Sequence, residues 1–133
     1  DREVRTLEDA RSYILKGPVA MYERVGFGLY LVEHKRDGVP LGICGLIKRD
    51  GLDDVDLGFA FLPEFRAHGY AHEAAAAVLS YGRSVLGLKR IVAITSPDNE
   101  RSAKLLEKLS FIIEKMIQLP NDSEAVKLFA SDV

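Results

Sequence analysis

Arg66, His68 and Gly69 stand together just ahead of a run of helix formers, in the stretch EFRAHGYAHEAAAAVLSYG (64–82). The first turn of a helix leaves backbone N–H groups without intrahelical acceptors and carries a partial positive charge, so it attracts anions. Gly69 lacks the Cβ that would hold a ligand away from the main chain, and Arg66 and His68 add side-chain donors. A phosphate, or better a pyrophosphate, suits such a loop. The same residues also fit a turn glycine flanked by solvated basic side chains, and the loop alone does not separate the two readings.

The elements around the loop follow from periodicity. REVRTLEDARSYIL (2–15) reads as a helix, with Thr6 and Asp9 spaced as a capping-box pair and Leu7, Ala10, Ile14 and Leu15 forming an apolar stripe. Three strands follow at 27–35, 40–49 and 54–62, separated by the turn signals RDG and DG. In the third, Val55, Leu57, Phe59 and Phe61 alternate with Asp56, Gly58 and Ala60, so the two sets face opposite ways. A helix from about Tyr70, with Gly87 as its C-cap, precedes RIVAITS (90–96), whose β-branched run suits a strand covered on both faces. A helix within 97–111 and strands over 111–119 and 125–133 complete the pattern. The expected class is mixed α/β, one sheet flanked by helices, with 1–133 as a single domain.

Composition narrows the partners. Apolar residues make up 47% and charged residues 29%, a globular balance, and a net charge of -2 offers no nucleic-acid footprint. No apolar run reaches membrane-spanning length, and nothing at the start resembles a signal peptide. Cys44 stands alone, which excludes an internal disulfide and fits a reducing, cytoplasmic setting. In an apolar strand it reads as a packed hydrophobe rather than an acyl carrier. His34, His68 and His72 lack metal-ligand spacing, so no metal is expected.

Two signatures taken together carry a resemblance. Arg66-Ala67-His68-Gly69-Tyr70-Ala71 is similar to the (Q/R)-x-x-G-x-(G/A) pyrophosphate loop of the GNAT superfamily of acyl-CoA N-acyltransferases. SPDNERSAKLLEKLSF (96–111) resembles that family's second signature, in which an Asn opens a helix and an aromatic follows a small residue at its end. GICGLIKRD, DLGFAFLPEF and AITSPDNERS look most like the branch of ribosomal-protein N-terminal acetyltransferases. Members of the superfamily begin with a strand before the first helix. No such strand is legible here, and the chain is expected to lack it, as an N-terminally truncated domain would.

The resemblance implies acetyl-CoA as cosubstrate and a primary amine, on a protein N-terminus or a small molecule, as acceptor. It implies a V-shaped opening between the strands at 55–62 and 90–96. Phe59, Ala60 and Phe61 would pair with the pantetheine arm, Arg66, Ala67, His68, Gly69, Tyr70 and Ala71 would hold the pyrophosphate, and Asn99 would bind the arm from the second helix. Asn99 also reads as a plain N-cap. An amine would attack the thioester directly while a strand N–H stabilises the oxyanion. Asp56 is the candidate to draw the proton away through water, or else a solvated carboxylate beside Asp53 and Asp54. Ser102 is the candidate near the departing thiolate, or an ordinary first-turn residue. Many members place a Tyr acid where this chain has Leu106, which closes that route. Ser110 replaces the usual Gly before Phe111. Deprotonation at neutral pH costs roughly 1 kcal/mol for an α-amine and about 4 for lysine, so a site without a strong base suits the weaker amine. A non-catalytic acyl-CoA sensor and a phosphate-binding or dimerising α/β module are the alternatives, and a homodimer fits any of them.

Overall fold

The computed structural model describes residues 5–120 and 122–131. Its described elements run α1 (Leu7–Ile14), a π-helical turn (Leu15–Val19), α2 (Ala20–Val25), β1 (Leu29–Glu33), β2 (Pro40–Ile47), β3 (Asp56–Phe61), a 3-10 turn (Pro63–Phe65), α3 (Tyr70–Ser84), β4 (Ile91–Thr95), α4 (Glu100–Lys108), β5 (Ile112–Ile117) and β6 (Val126–Ser131). The six strands form one mixed sheet in the order β1-β2-β3-β4-β6-β5. This is the mixed α/β class the sequence indicates, with β1–β3 as an antiparallel meander.

The N-terminal helix departs from expectation twice. The capping box forms, with Thr6 and Asp9 bonded reciprocally, but residues 2–4 lie outside the described residues. The helix expected over 2–15 does not end at Leu15, because the helical path runs on through Gly17 and Pro18. Pro18 is absorbed in the π turn, where the widened backbone accommodates a residue with no N–H, and helix resumes through Val25. The expected stripe is not a core stripe either: Leu7 is 81% exposed and Ile14 and Leu15 are exposed too.

Helices α3 and α4 pack on one sheet face. Ala75 and Leu79 of α3 and Leu106 of α4 meet Cys44, Leu46, Leu57, Ile91, Ala93 and Phe129 in the main core. Phe59 and Val55 pack against it, as their alternation requires. A smaller cluster of Leu52, Val92, Leu128 and Ala130 covers the opposite face of β4 and β6. The C-terminus of α3 comes earlier than Gly87 suggests: Val85 is the C-cap, and Gly87 follows in a left-handed conformation at φ +70°.

Ser110 occupies a position whose backbone favours glycine. It follows the C-cap of α4 at φ +70°, with Ser110 N–H donating to Glu107 and Phe111 N–H to Leu106, a Schellman closure. Left-handed backbone penalises a Cβ, so Ser110→Gly is expected to stabilise the protein by about 0.5–1 kcal/mol in urea titration. An unchanged or lower midpoint would show that the serine compensates its own strain.

Sheet topology decides where the site lies. β3 and β4 run parallel but share a single register pair, Asp56 with Val92. Beyond it they separate, and α3 and α4 begin at the open end. The sheet therefore forks.

Candidate active site

At the fork's open end lies a cleft of about 760 Å³ lined by β3, the loop before α3, and one side of α4. Strand alternation supplies its polar backbone. Leu62 N–H donates to Leu41 of β2, whereas the Val55 carbonyl accepts from Val92 of β4. Successive residues alternate in direction, so the N–H and C=O groups of Phe59 and Phe61 point into the fork, while those of Ala60 point toward β2. Arg66 Nε donates to the Phe61 carbonyl at 3.3 Å, anchoring its guanidinium at the base of the loop.

The loop then turns by two left-handed residues, Ala67 at φ +62° and Gly69 at φ +85°. Such alternation makes neighbouring N–H groups converge into an anion-binding concavity. The first helical bond closing the turn runs from Glu73 N–H to the Gly69 carbonyl, so the amides of Tyr70, Ala71 and His72 precede it. Tyr70 braces the loop from outside: its ring stacks on His68 and meets His34 and Phe65 edge-on.

Across the cleft, Asn99 caps α4, its Oδ1 accepting from Ser102 N–H at 3.1 Å. The cap leaves its amide NH2 without a described partner. Of the residues singled out from sequence, Phe59, Ala60, Phe61, Arg66, Ala67, Gly69, Ala71, Asn99 and Ser102 line this one cleft. His68 and Tyr70 do not line it; their rings belong to the brace, and only their amides fall in the loop. His72 lines it too, and Phe65, Arg101, Lys104, Leu105 and Lys108, which also line it, were missed. The helical spacing of Arg101, Lys104 and Lys108 on the side of α4 opposite Leu106 was the available signal.

Asp56 requires a correction. It is neither solvated nor on the cleft: it sits at the closed vertex of the fork, 0% exposed, away from the lining residues. Arg49 reaches it, with Nε–Oδ1 at 3.2 Å and a second guanidinium nitrogen 3.1 Å from Oδ2. Burial pushes its pKa above the ordinary aspartate range, and Arg49 offsets only part of that rise. Its neighbours go elsewhere. Asp54 joins Arg90 and Glu114 in an ion-pair group, while Asp53 is exposed. Cys44 is buried with its thiol pushed up to about 12, which leaves it inert at neutral pH. Among the described residues no group of three or more acidic, His or Cys side chains is placed to hold a metal, and no helix is long and apolar enough to cross a membrane.

A pyrophosphate fits this arrangement on the loop's own terms: converging amides, Arg66 beside them, and a cleft lining with four permanent cations and no carboxylate. Comparison with known proteins agrees. The sequence profile described as "Acetyltransferase (GNAT) domain" matches residues 1–112. The uncharacterised protein YkkB of Bacillus subtilis is 32% identical over 103 residues, covering 76% of this chain and 60% of its own length. The chain thus spans less than two thirds of that relative. Two solved structures share the fold at low identity. The ribosomal L7/L12 α-N-protein acetyltransferase RimL in complex with coenzyme A has a TM-score of 0.81 at 18% identity, covering 98% of this chain and 75% of that one. Spermidine N-acetyltransferase from Vibrio cholerae, with CoA and spermine, has a TM-score of 0.76 at 16% identity, covering 98% and 78%. By the profile match over most of its length, this chain belongs to the GNAT acetyltransferase family.

Proposed function

We propose that the chain transfers an acetyl group from acetyl-CoA to a primary amine by direct attack. The observation that carries this reading is the cleft, where β3 and β4 part beyond a single pairing and open onto the left-handed loop before α3. Arg66 and the amides of Ala67 to Ala71, including those of His68, Gly69 and Tyr70, hold the pyrophosphate. The fork-facing edge of Phe59 and Phe61, whose Phe61 carbonyl also accepts from Arg66, pairs with the amides of the pantetheine arm as an added strand would. Asn99 donates its remaining NH2 to the same arm. The thioester supplies an activated acetyl carbonyl, and an N–H on the open β3 edge stabilises the charge that develops on its oxygen.

Ser102, on the first turn of α4 among the cleft-lining residues, donates its hydroxyl to the leaving sulfur. Burial raises the proton affinity of Asp56, as a base requires, and the same burial means that it accepts a proton only through an intervening group. A site whose base acts at one remove favours a weakly basic acceptor, such as a protein N-terminal α-amine, over a fully protonated alkylamine. The shared fold does not choose between branches, since it serves both the RimL and the spermidine enzymes.

The test is thiol release from acetyl-CoA with a panel of N-terminal peptides, polyamines and small amines, and mass spectrometry of the product. Saturable release with an acetylated peptide N-terminus is expected. Coenzyme A binding without turnover on any acceptor would replace this reading with an acyl-CoA sensor. Absence of binding would leave a module for some other phosphate ligand.

A further inference from the structure

Among the described residues, three buried side-chain atoms make no hydrogen bond: Asp56 Oδ2, Arg83 Nε and Thr95 Oγ1. The first still lies 3.1 Å from a guanidinium nitrogen of Arg49, and the second belongs to a guanidinium that donates to Ser131. Thr95 differs from both. Its residue is only 6% exposed, and its hydroxyl has neither an ion-pair nor a hydrogen-bond partner among the described residues. An unsatisfied buried hydroxyl destabilises a fold, and valine would fill the same space without that penalty.

Its place in the fork gives the hydroxyl a use. β3 and β4 run parallel from the pairing of Asp56 with Val92, so three residues further along each strand Phe59 stands opposite Thr95. Thr95 shares a face of β4 with Ile91 and Ala93 of the main core, the face on which Phe59 packs and borders the cleft. In the proposed use of acetyl-CoA the pyrophosphate sits on the loop at the open end. The arm then runs inward past Phe61 and Phe59, which brings its thioester to the level of Thr95.

We infer that the Thr95 hydroxyl is a second hydrogen-bond donor to the thioester carbonyl, facing the Phe59 N–H from the other lip of the fork. The inference rests on the proposed use of acetyl-CoA. Turning χ1 to another staggered position re-aims the hydroxyl into the gap without moving the backbone. As the amine nitrogen bonds to the carbonyl carbon, the carbonyl π pair moves onto the oxygen, where both donors meet it. Collapse then breaks the C–S bond and the pair leaves with sulfur, while Thr95 keeps its proton throughout. A donor left idle in the free protein and used when that charge appears stabilises the transition state more than the ground state.

Kinetics and calorimetry on the full chain and on its Thr95→Val and Thr95→Ser variants test this. The valine variant is expected to lose about a hundredfold in kcat. Its Kd for coenzyme A, which has no carbonyl at that end, should stay at that of wild type, and its thermal midpoint should hold level or rise. Serine keeps the hydroxyl and is expected to recover most of the rate. A valine variant with wild-type kcat would overturn the inference, as would one that weakens coenzyme A binding in proportion to its loss of rate. A valine variant that melts below wild type would also overturn it, by showing that the hydroxyl has a partner in the free protein. Should wild type bind coenzyme A but turn over no acceptor, the affinity ratio decides. Wild type is then expected to prefer acetyl-CoA to coenzyme A and the valine variant to lose that preference, and the same ratio in both chains would overturn the inference. If wild type binds neither form, the acetyl-CoA reading itself has failed, a result distinct from an unaltered valine variant.

Discussion

Gly69→Val should leave the protein folded and reduce its affinity for coenzyme A about a hundredfold. Gly69 adopts φ +85°, and a Cβ built there meets nothing within 4 Å, so the substitution is penalised by backbone strain and not by collision. A β-branched residue at that angle is strongly disfavoured, and the loop relieves it by rotating peptide planes. Rotation turns one or two converging amides away from the anion. Hydrogen bonds to charged groups contribute about 1.5–3 kcal/mol each, which gives the expected loss. Calorimetry on the variant, with its melting curve as a folding control, measures both quantities. A valine variant with wild-type affinity would remove this loop from any account of ligand binding.

Arg49→Met should cost about 3 kcal/mol of stability near neutral pH, because removing one partner leaves the Asp56 carboxylate buried and uncompensated. The sign of its pH dependence follows from linkage. Asp56 in the folded protein already holds its proton more tightly than in the unfolded chain, and losing Arg49 raises that affinity further. Folded protein then binds more protons than unfolded protein between the two pKa values, so stability falls as pH rises through that window. The deficit relative to wild type should therefore be larger at about pH 7.5 than at about pH 5. Adding Asp56→Asn should recover much of the loss by removing the orphaned charge. Urea titrations at both pH values decide the matter, and a deficit that ignores pH would show that Arg49 matters through packing alone.

Much of this was legible before the fold was known, for identifiable reasons. Strand alternation at 55–61 gave the two faces of β3, and Gly69 marked the left-handed turn before α3, because both depend on local backbone geometry. The capping box at Thr6 and Asp9 is local too. What escaped depends on long-range placement. The helical path continues past Leu15 only through a π turn at Leu15–Val19, which the apolar periodicity of 2–15 does not reveal. Asp56 looks like one of three surface carboxylates until Arg49, seven residues earlier, is folded against it across the β2–β3 turn. Lys104 and Lys108 look like ordinary solvated lysines until α4 is laid beside the fork.

The fork also constrains the shape of what engages it. A strand paired with β3 lies about 4.8 Å from it, so a ligand that uses the fork-facing edge of Phe59 and Phe61 must be extended and offer amide groups at strand-like intervals. Where that edge becomes accessible is set by the single pairing of Asp56 with Val92, beyond which the two strands begin to part.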